Sequence, residues 1–309
     1  MLKYNFISKE HNLRYSEIYT LSSLMIVIMM NLFFFWIVPH FVLNIIIAIA
    51  YASFILVIRK NAKESPLYEF LSNIQYLIGI LIVYTLYQYL IKSLHPIDFD
   101  NILISWDLAL LGKHPSEIIS PFVNPYLTEY LQISYTMFYF LPIFTAVDLY
   151  YNKNNEFDKF IRNILFAYFY SYLLYFIMPA IGPRFTLYTF EQINTELPGI
   201  FLTDTLRWFI NFGGGVTDQS VNPIDIVNRD CMPSGHTMIT LVAIFCSFRF
   251  QSKMRWLVFT VGISIIFATV YLRYHYFVDI IAGIIFGVIS YKIEPFINKI
   301  YRKKVRLEY

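Results

Sequence analysis

The chain has 309 residues, of which 57% are hydrophobic and only 15% are charged, with a formal net charge of +3. Soluble domains carry about 25% charged residues, and one soluble core cannot bury so much apolar surface at this length. The composition therefore excludes an ordinary soluble domain, and the small net charge does not suggest a nucleic-acid partner. It favours an all-α protein, a polytopic membrane helical bundle.

Eight apolar segments follow one another along the chain, and their lengths suit membrane-spanning helices. The third and fourth also contain Glu and Gln residues, which is typical of spans that face a bundle interior. Gly283 and Gly287 form a GxxxG pattern in the last segment, which predicts close helix packing. We therefore predict about eight transmembrane helices. The segments lie near residues 18–38, 41–58, 68–91, 126–150, 160–181, 235–250, 256–272 and 275–295.

The distribution of basic residues predicts how these segments cross the membrane. With the N-terminus in the cytoplasm, most of the 24 Lys and Arg residues fall in cytoplasmic segments, including a cluster at 296–309. Such an excess of basic residues marks the cytoplasmic side of membrane proteins. We therefore expect an integral membrane protein with both termini in the cytoplasm.

Three polar clusters fall on the opposite side in this topology. They are "GPRF" at 182–185, "PSGH" at 233–236 and "YLRYHYFVD" at 271–279. Their convergence predicts an active site on the non-cytoplasmic face, which is periplasmic in a bacterial inner membrane and lumenal in a eukaryotic one. The long loop at 182–232 is either functional or a flexible cover. Cys231 near its end should be reachable from outside, unless the long loop shields it.

His275 and Asp279 are four residues apart at the start of a predicted helix, so they share one helix face. A carboxylate there can accept the Nδ1 proton of the imidazole and leave Nε2 as a base or nucleophile. The alternative is an interfacial histidine and a snorkelling aspartate. The cost of placing an ionisable residue inside a span favours a functional site.

The "PSGH" cluster and two arginines have the chemistry of an anion site. Ser234 adds a hydroxyl donor, Gly235 allows close approach of a ligand, and the helix start favours an anion. His236 adds an acid or base at the same point. Guanidinium groups, here Arg184 and Arg273, bind phosphate oxygens in a bidentate fork. The alternatives are a serine N-cap beside a histidine, a loop arginine, and an arginine that anchors the chain at the membrane interface.

The motifs "CMPSGHT" and "YLRYHYFVDIIAG" resemble those of the type 2 phosphatidic acid phosphatase superfamily, whose three motifs are KxxxxxxRP, PSGH and SRxxxxxHxxxD. The second motif is intact, the third keeps His275 and Asp279, and the first keeps Arg184. The resemblance covers about residues 70 to 290. It implies a catalytic core of six helices of the phosphatase type.

Three positions depart from these motifs: Ile177 replaces Lys, Phe185 replaces Pro, and Thr269 replaces Arg. The chain is in this respect similar to the inositol phosphorylceramide synthase branch, which has "HYFVD" and lacks the third-motif Arg. The segment at 95–117 and two additional N-terminal helices also resemble that branch. The implied domains are a tail with two additional transmembrane helices at 1–67, a catalytic membrane domain at 68–295, and a basic cytoplasmic tail at 296–309.

The resemblance implies a metal-independent mechanism with no cofactor. His275 is the nucleophile that forms a phosphohistidine, Asp279 orients it, and His236 is the general acid and base. The implied phosphate-binding residues are Arg184, Ser234, Gly235 and Arg273.

The expected function is an inositolphosphotransferase of sphingolipid metabolism, which moves a phospho-head-group from a phospholipid donor to a lipid alcohol such as ceramide. Two missing cations favour a phosphodiester over a more highly charged monoester. If water is the acceptor, the alternative is hydrolysis of phosphatidic acid or of a prenyl or sphingoid phosphate. Two other classes remain open: a membrane transporter, and a metal enzyme with His236, His275 and Asp279 as ligands.

Overall fold

The computed structural model describes residues 13–152, 154–217 and 221–307. Residues 1–12 of the predicted N-terminal tail and residues 308–309 of the predicted basic tail lie outside the described residues. Within the described ranges the secondary structure is helical, and there is no strand. The all-α class is therefore confirmed.

The α-helices are numbered here in chain order, and short 3₁₀ turns are left unnumbered. They are α1 Tyr15–Phe33, α2 Phe41–Asn61, α3 Pro66–Leu94, α4 Asp100–Leu111, α5 Pro115–Ile119, α6 Pro125–Thr136, α7 Leu141–Asn152, α8 Asn154–Leu174, α9 Pro183–Thr186, α10 Ile193–Glu196, α11 Thr203–Gly213, α12 Pro223–Ile226, α13 Gly235–Arg249, α14 Arg255–Tyr271 and α15 Phe277–Leu307. The predicted loop at 182–232 thus contains four of these helices and is not simply a flexible cover.

Four of these helices are long and apolar enough to span a membrane: α1, α2, α3 and the part of α15 from Phe277 to Ile300. The segment predicted at 126–150 forms α6 and α7, which are bent by 53° and together make a fifth candidate. Helices α13 and α14 are shorter apolar helices. These features are those expected of an integral membrane protein. The count of eight spans and the six-helix core stay predictions.

The helix α8 differs most from its predicted span. It begins at Asn154 and ends at Leu174, earlier than the predicted 160–181, and it does not qualify as a span. The reason is its polar first half, which contains Glu156, Lys159 and Arg162. Arg162 is buried and forms an ion pair with Glu294 of α15.

The described chain divides into two compact units after Ser93. In the first unit, α1 packs along α2, and the buried carboxylate of Glu17 accepts a hydrogen bond from Ser72 at 3.1 Å. This division places α3 with the N-terminal helices, whereas the sequence placed residues 68–295 together. The catalytic domain at 68–295 stays a prediction.

In the second unit, α13 is central and packs against α8, α14 and α15. The approach of α15 to α13 is close because Gly283 and Gly287 have no side chains. A Cβ atom added to Gly283 would lie 2.8 Å from the carbonyl oxygen of Ser234, and one on Gly287 would lie 3.2 Å from that of Met238. The predicted close packing at the GxxxG pattern is therefore confirmed, and it holds the start of α13 against the first turns of α15.

Candidate active site

His275 lies in the turn between α14 and α15, and its side chain is buried. Its Nδ1 atom lies 2.9 Å from the main-chain carbonyl oxygen of Cys231. A carbonyl oxygen can only accept a hydrogen bond, so Nδ1 carries the proton and Nε2 keeps a lone pair. The fold therefore fixes the tautomer that a nucleophilic imidazole requires.

Asp279 lies in the first turn of α15 and is fully buried beside His275. Its Oδ2 atom lies 3.4 Å from Nδ1 of His275, and it accepts hydrogen bonds from the Tyr276 N–H at 2.8 Å and the Cys231 thiol at 3.0 Å. The predicted proximity of Asp279 to His275 is present. The Cys231 carbonyl is a nearer acceptor for Nδ1 than the Asp279 carboxylate. The carboxylate is therefore placed to stabilise positive charge on the ring when one develops.

His236 lies in the first turn of α13, and its ring faces that of His275. Its Nδ1 atom is 3.5 Å from Nε2 of His275 and 3.3 Å from the hydroxyl of Tyr135. The ring stacks on Tyr135 at 4.4 Å between centroids and contacts Phe138 at 4.2 Å, and Tyr135 in turn stacks on Tyr274 at 4.3 Å. Its Nε2 atom has no hydrogen-bond partner among the described residues. Residues 39 positions apart are thus brought together as a pair of imidazoles.

Ser234 and Gly235 begin α13 in the way the alternative interpretation predicts, with a serine N-cap. The Ser234 hydroxyl oxygen accepts a hydrogen bond from the Thr237 N–H at 3.2 Å, and the Ser234 N–H donates to the carbonyl of Asp279 at 3.0 Å. A Cβ on Gly235 would lie 2.1 Å from the Tyr175 hydroxyl. Any larger residue here would displace the Tyr175 side chain, so the space beside Gly235 is taken by a neighbouring side chain, whereas the sequence suggested approach of a ligand.

Arg184 is buried in α9, and its guanidinium has partners on several sides. One Nη atom donates to the side-chain oxygen of Asn211 in α11. The guanidinium carbon also lies 4.5 Å from the ring centroid of Tyr274 and 4.7 Å from that of Phe185. Phe185 stands where the family motif has proline, so this departure supplies a cation–π contact to the arginine.

The guanidinium of Arg273 is engaged by two partners that lie in the segment after α9. Its guanidinium forms an ion pair with Glu196 of α10 and lies 3.8 Å over the ring of Tyr188. Its carbonyl oxygen accepts a hydrogen bond from the Arg184 N–H at 3.2 Å. Arg273 thus contributes main-chain support to the Arg184 turn, and its role as a phosphate ligand stays a prediction.

Asp107 of α4 is a buried residue that the sequence analysis did not single out. Its two carboxylate oxygens accept hydrogen bonds from the N–H groups of Phe277 and Val278, each at 2.9 Å. These are unsatisfied donors at the start of α15, which a carboxylate stabilises. Burial raises the pKa of the Asp107 carboxyl, and the two N–H donors act against that rise.

Asp100, seven residues earlier on α4, holds the other side of the site. It accepts hydrogen bonds from the N–H groups of Ile181 and Gly182 at 3.0 and 2.8 Å and from the Tyr276 hydroxyl at 2.7 Å. One helix therefore joins the turn that carries Arg184 to the turn that carries His275. The seven-residue spacing of two aspartates, which puts both on one helix face, was the signal in the sequence.

The side chains that could ligate a metal differ from the predicted set. Cys231, His275 and Asp279 have ligand atoms within 4.8 Å of one another, whereas His236 meets the opposite nitrogen of His275. A metal on Nδ1 would move the ring proton to Nε2 and remove the lone pair needed for attack. Cys231 is buried, which agrees with the shielded alternative and not with a thiol reachable from outside, and burial raises the pKa of this thiol.

Comparison with known proteins agrees with this arrangement. Residues 101–293, more than half of the chain, match the PAP2 superfamily. The chain is also 28% identical, over 60% of its length, to a PA-phosphatase related-family protein of Dictyostelium discoideum, of which it covers 36%. No solved structure matches the chain. Both matches support a phosphatase or phosphotransferase enzyme, and the chain belongs to the PAP2 superfamily.

Proposed function

We propose that the protein is a membrane lipid phosphotransferase, which moves an inositol phosphate-like head group from a phospholipid to a lipid alcohol such as ceramide. The observation that carries the proposal is the hydrogen bond from Nδ1 of His275 to the Cys231 carbonyl at 2.9 Å. It leaves Nε2 with a lone pair that faces His236. The proposal needs no metal or other cofactor.

In the first step, Nε2 of His275 attacks the phosphorus, a P–N bond forms, and the P–O bond to the diacylglycerol breaks. His236 gives a proton to the departing oxygen, and its unpartnered Nε2 atom is suited to this. The phosphorylated ring is cationic while Nδ1 keeps its proton. Asp279, with Oδ2 3.4 Å from that nitrogen, stabilises the charge.

In the second step, the hydroxyl of the acceptor attacks the phosphorus and gives its proton to His236. The P–N bond breaks, and His275 returns to its starting tautomer. Arg184, the Ser234 hydroxyl and the Gly235 N–H hold the phosphoryl oxygens, where charge is spread in the transition state. All of these donors are preorganised at the starts of α9 and α13.

The charge of the pocket supports a phosphodiester donor. Ile177 and Thr269 replace two cations of the family motifs, and the Arg273 guanidinium is engaged by Glu196. A phosphate monoester carries nearly two negative charges at neutral pH, since its second pKa is about 6, whereas a diester carries one. A pocket with few available cations therefore favours the diester.

The chain at 182–232, here called the outer segment, supports transfer over hydrolysis. Ile181, Phe185 and Val227 form a buried apolar cluster beside the Arg184 turn, with Phe190 and Val216 packed against it. Such a cover helps to keep water from a phosphohistidine. The second candidate is lipid phosphate hydrolysis by the same residues, which is favoured by the intact "PSGH" motif and by the name of the Dictyostelium relative.

The test is a comparison of donors and acceptors with purified protein in lipid vesicles. Labelled phosphatidylinositol and labelled phosphatidic acid are each supplied with and without ceramide, and the products are identified by mass spectrometry. We expect phosphoinositol-ceramide and diacylglycerol from the first donor, unchanged by EDTA. Efficient hydrolysis of phosphatidic acid, with no reaction of phosphatidylinositol with any alcohol tried, would overturn the proposal. His40→Asn is the control variant, since this histidine lies outside the site.

A further inference from the structure

The helix α11 buries a charged side chain and exposes large apolar ones, the opposite of a helix that faces water. Its buried face is formed by Thr203, Arg207 and Ile210, which recur at helical spacing. Arg207 donates hydrogen bonds inward to the side chain of Asn194 at 2.6 Å and to the carbonyl of Leu197 at 3.0 Å. A charged residue inside and an apolar face outside is the pattern of a helix surrounded by lipid.

The large exposed side chains of α11 are aromatic, and Asp204 and Thr205 are also exposed in its first turn. Trp208 is 58% exposed and Phe212 is 53% exposed, and Phe209 is exposed beside them. Phe201 and Leu202, which precede the helix, extend the same patch, and Phe201 is 86% exposed. We call these five residues the aromatic patch.

The aromatic patch is held outward by a buried contact. The carboxylate of Glu129 on α6 accepts hydrogen bonds from four consecutive N–H groups and from the Thr203 hydroxyl at 2.6 Å. Three of those N–H groups belong to Ile200, Phe201 and Leu202. The large apolar side chains are therefore fixed at the surface by five donors, which indicates a partner that favours apolar groups.

The surface beside the aromatic patch belongs to a candidate span. Helix α11 packs against α6, which is part of the bent pair of helices long and apolar enough to cross a membrane. Tyr126 and Tyr130 of α6 are exposed. Trp and Tyr are enriched where a protein meets the boundary between lipid and water. This continuity identifies lipid, and not water or a soluble protein, as the partner.

The inner side of α11 reaches the candidate active site. Asn211 binds the Arg184 guanidinium, and Phe209, at the edge of the aromatic patch, contacts the ring of Tyr139 at 5.7 Å between centroids. Tyr139 lies directly after α6, close in sequence to Tyr135, which stacks on His236. One helix thus carries an exposed apolar face on one side and a ligand of the phosphate-binding arginine on the other.

We infer that the aromatic patch is a lipid-binding surface, which lies among the chains and head groups of the bilayer beside the active site. Its role in presenting the substrate lipid rests on the proposed function, whereas its contact with lipid does not. A lipid whose chains lie along the patch has its phosphate near the side of α11 that binds Arg184.

The contact is tested by the fluorescence of Trp208. The protein with Trp36, Trp106 and Trp256 changed to Phe keeps Trp208 as its one tryptophan, and the variant that also has Trp208→Phe is the blank. In vesicles of brominated phosphatidylcholine we expect at least half of the Trp208 emission to be quenched, with little quenching by aqueous iodide. Quenching by iodide alone, or by neither reagent, overturns the inference, since the patch then faces water or protein.

The consequence for substrate is tested by placing a charge in the patch. Trp208→Glu should lower turnover of a long-chain lipid in vesicles about tenfold, since an interfacial charge weakens lipid contact. It should change turnover of a water-soluble short-chain donor with the same head group less than twofold. Tyr151→Glu, at an exposed position of α7, is the control. Equal losses on both donors overturn the role in presenting substrate. If no donor reacts, the proposed function fails while the fluorescence result still stands.

Discussion

The two parts of the candidate site are held by different kinds of contact. Around His275 most contacts have a main-chain group on at least one side: the Cys231 carbonyl faces Nδ1, the Ser234 N–H donates to the carbonyl of Asp279, and the first N–H groups of α15 donate to a carboxylate. The guanidinium of Arg184, in contrast, is held by side chains, those of Asn211 and of aromatic rings. Main-chain contacts survive most substitutions, whereas side-chain contacts change with sequence. If these residues have the roles proposed above, the reacting groups depend more on the fold, and the region around Arg184 is where specificity can vary.

The largest expected effect is that of removing the nucleophile. His275→Gln should abolish turnover and leave no phosphorylated protein after rapid acid quenching with a labelled donor, because the proposed P–N bond is made to this ring. His40→Asn should keep both signals. Activity near that of the natural protein in His275→Gln would show that the main-chain framework around this ring serves another purpose.

The next effect tests whether the main chain, and not the carboxylate, fixes the tautomer. Where a carboxylate alone orients an imidazole, its conversion to an amide costs about 10⁴-fold in rate. For Asp279→Asn we expect a smaller loss, about 100-fold in kcat, because the Cys231 carbonyl still accepts the Nδ1 proton. The measurement is kcat on a folded variant, with folding checked by thermal unfolding.

A loss of 10⁴-fold in Asp279→Asn would show that the Asp279 side chain, and not the main chain, fixes the tautomer of His275. The contrast between the surroundings of His275 and those of Arg184 would then disappear. A loss of less than threefold would show that the carboxylate does not face charge during the reaction. The melting temperature of the Asp279→Asn variant shows whether either result comes from misfolding.

A substitution beside Arg184 should cause a smaller loss of activity than one at His275 or Asp279, and we expect the loss mainly in substrate binding. Asn211→Ala removes the side-chain partner of the Arg184 guanidinium, and we expect a loss of about tenfold in kcat/KM, mostly in KM, since a hydrogen bond to a charged group is worth about 1.5–3 kcal/mol. Asn222→Ala, which removes an exposed asparagine of the same outer segment, is the matched control. An unchanged kcat/KM would contradict the assignment of Arg184 to the phosphate.

The smallest effect concerns the choice of substrate. Glu196→Gln releases Arg273 from its ion pair and adds an available cation near the phosphate region. We expect the ratio of phosphatidic acid turnover to phosphatidylinositol turnover to rise about threefold to tenfold, because the monoester carries more charge. Glu191→Gln, in the same segment, should leave the ratio unchanged. An unchanged ratio in Glu196→Gln would mean that Arg273 never approaches the phosphate.

The sequence predicts the parts of this molecule that depend on local pattern. All eight apolar segments contain helix, because length and composition are enough to specify it. The meeting of His236 with His275 was also predictable, since both clusters fall at the same ends of neighbouring spans. Gly283 and Gly287 carried their packing signal in their spacing.

The contacts that set the orientation of the side chains were not predictable. Arg273 pairs with Glu196, 77 positions away, and Asp107 binds N–H groups 170 and 171 positions away. No local pattern marks such pairs, because each exists only when several helices have packed. Glu129 was seen as a polar residue facing a bundle interior, and its four consecutive N–H partners required the fold of the outer segment.

The close seam between α13 and α15 has a consequence for the route of the lipid. A methyl group at Gly283 would already collide with the carbonyl of Ser234, so an acyl chain cannot slide between these two helices. On the proposed function, the seam between α13 and α15 is therefore closed to the substrate lipid, which enters and leaves along another side of the second unit. A lateral opening to the bilayer is expected where helices are bent or short. The bent junction of α6 with α7, which α11 borders, is such a place.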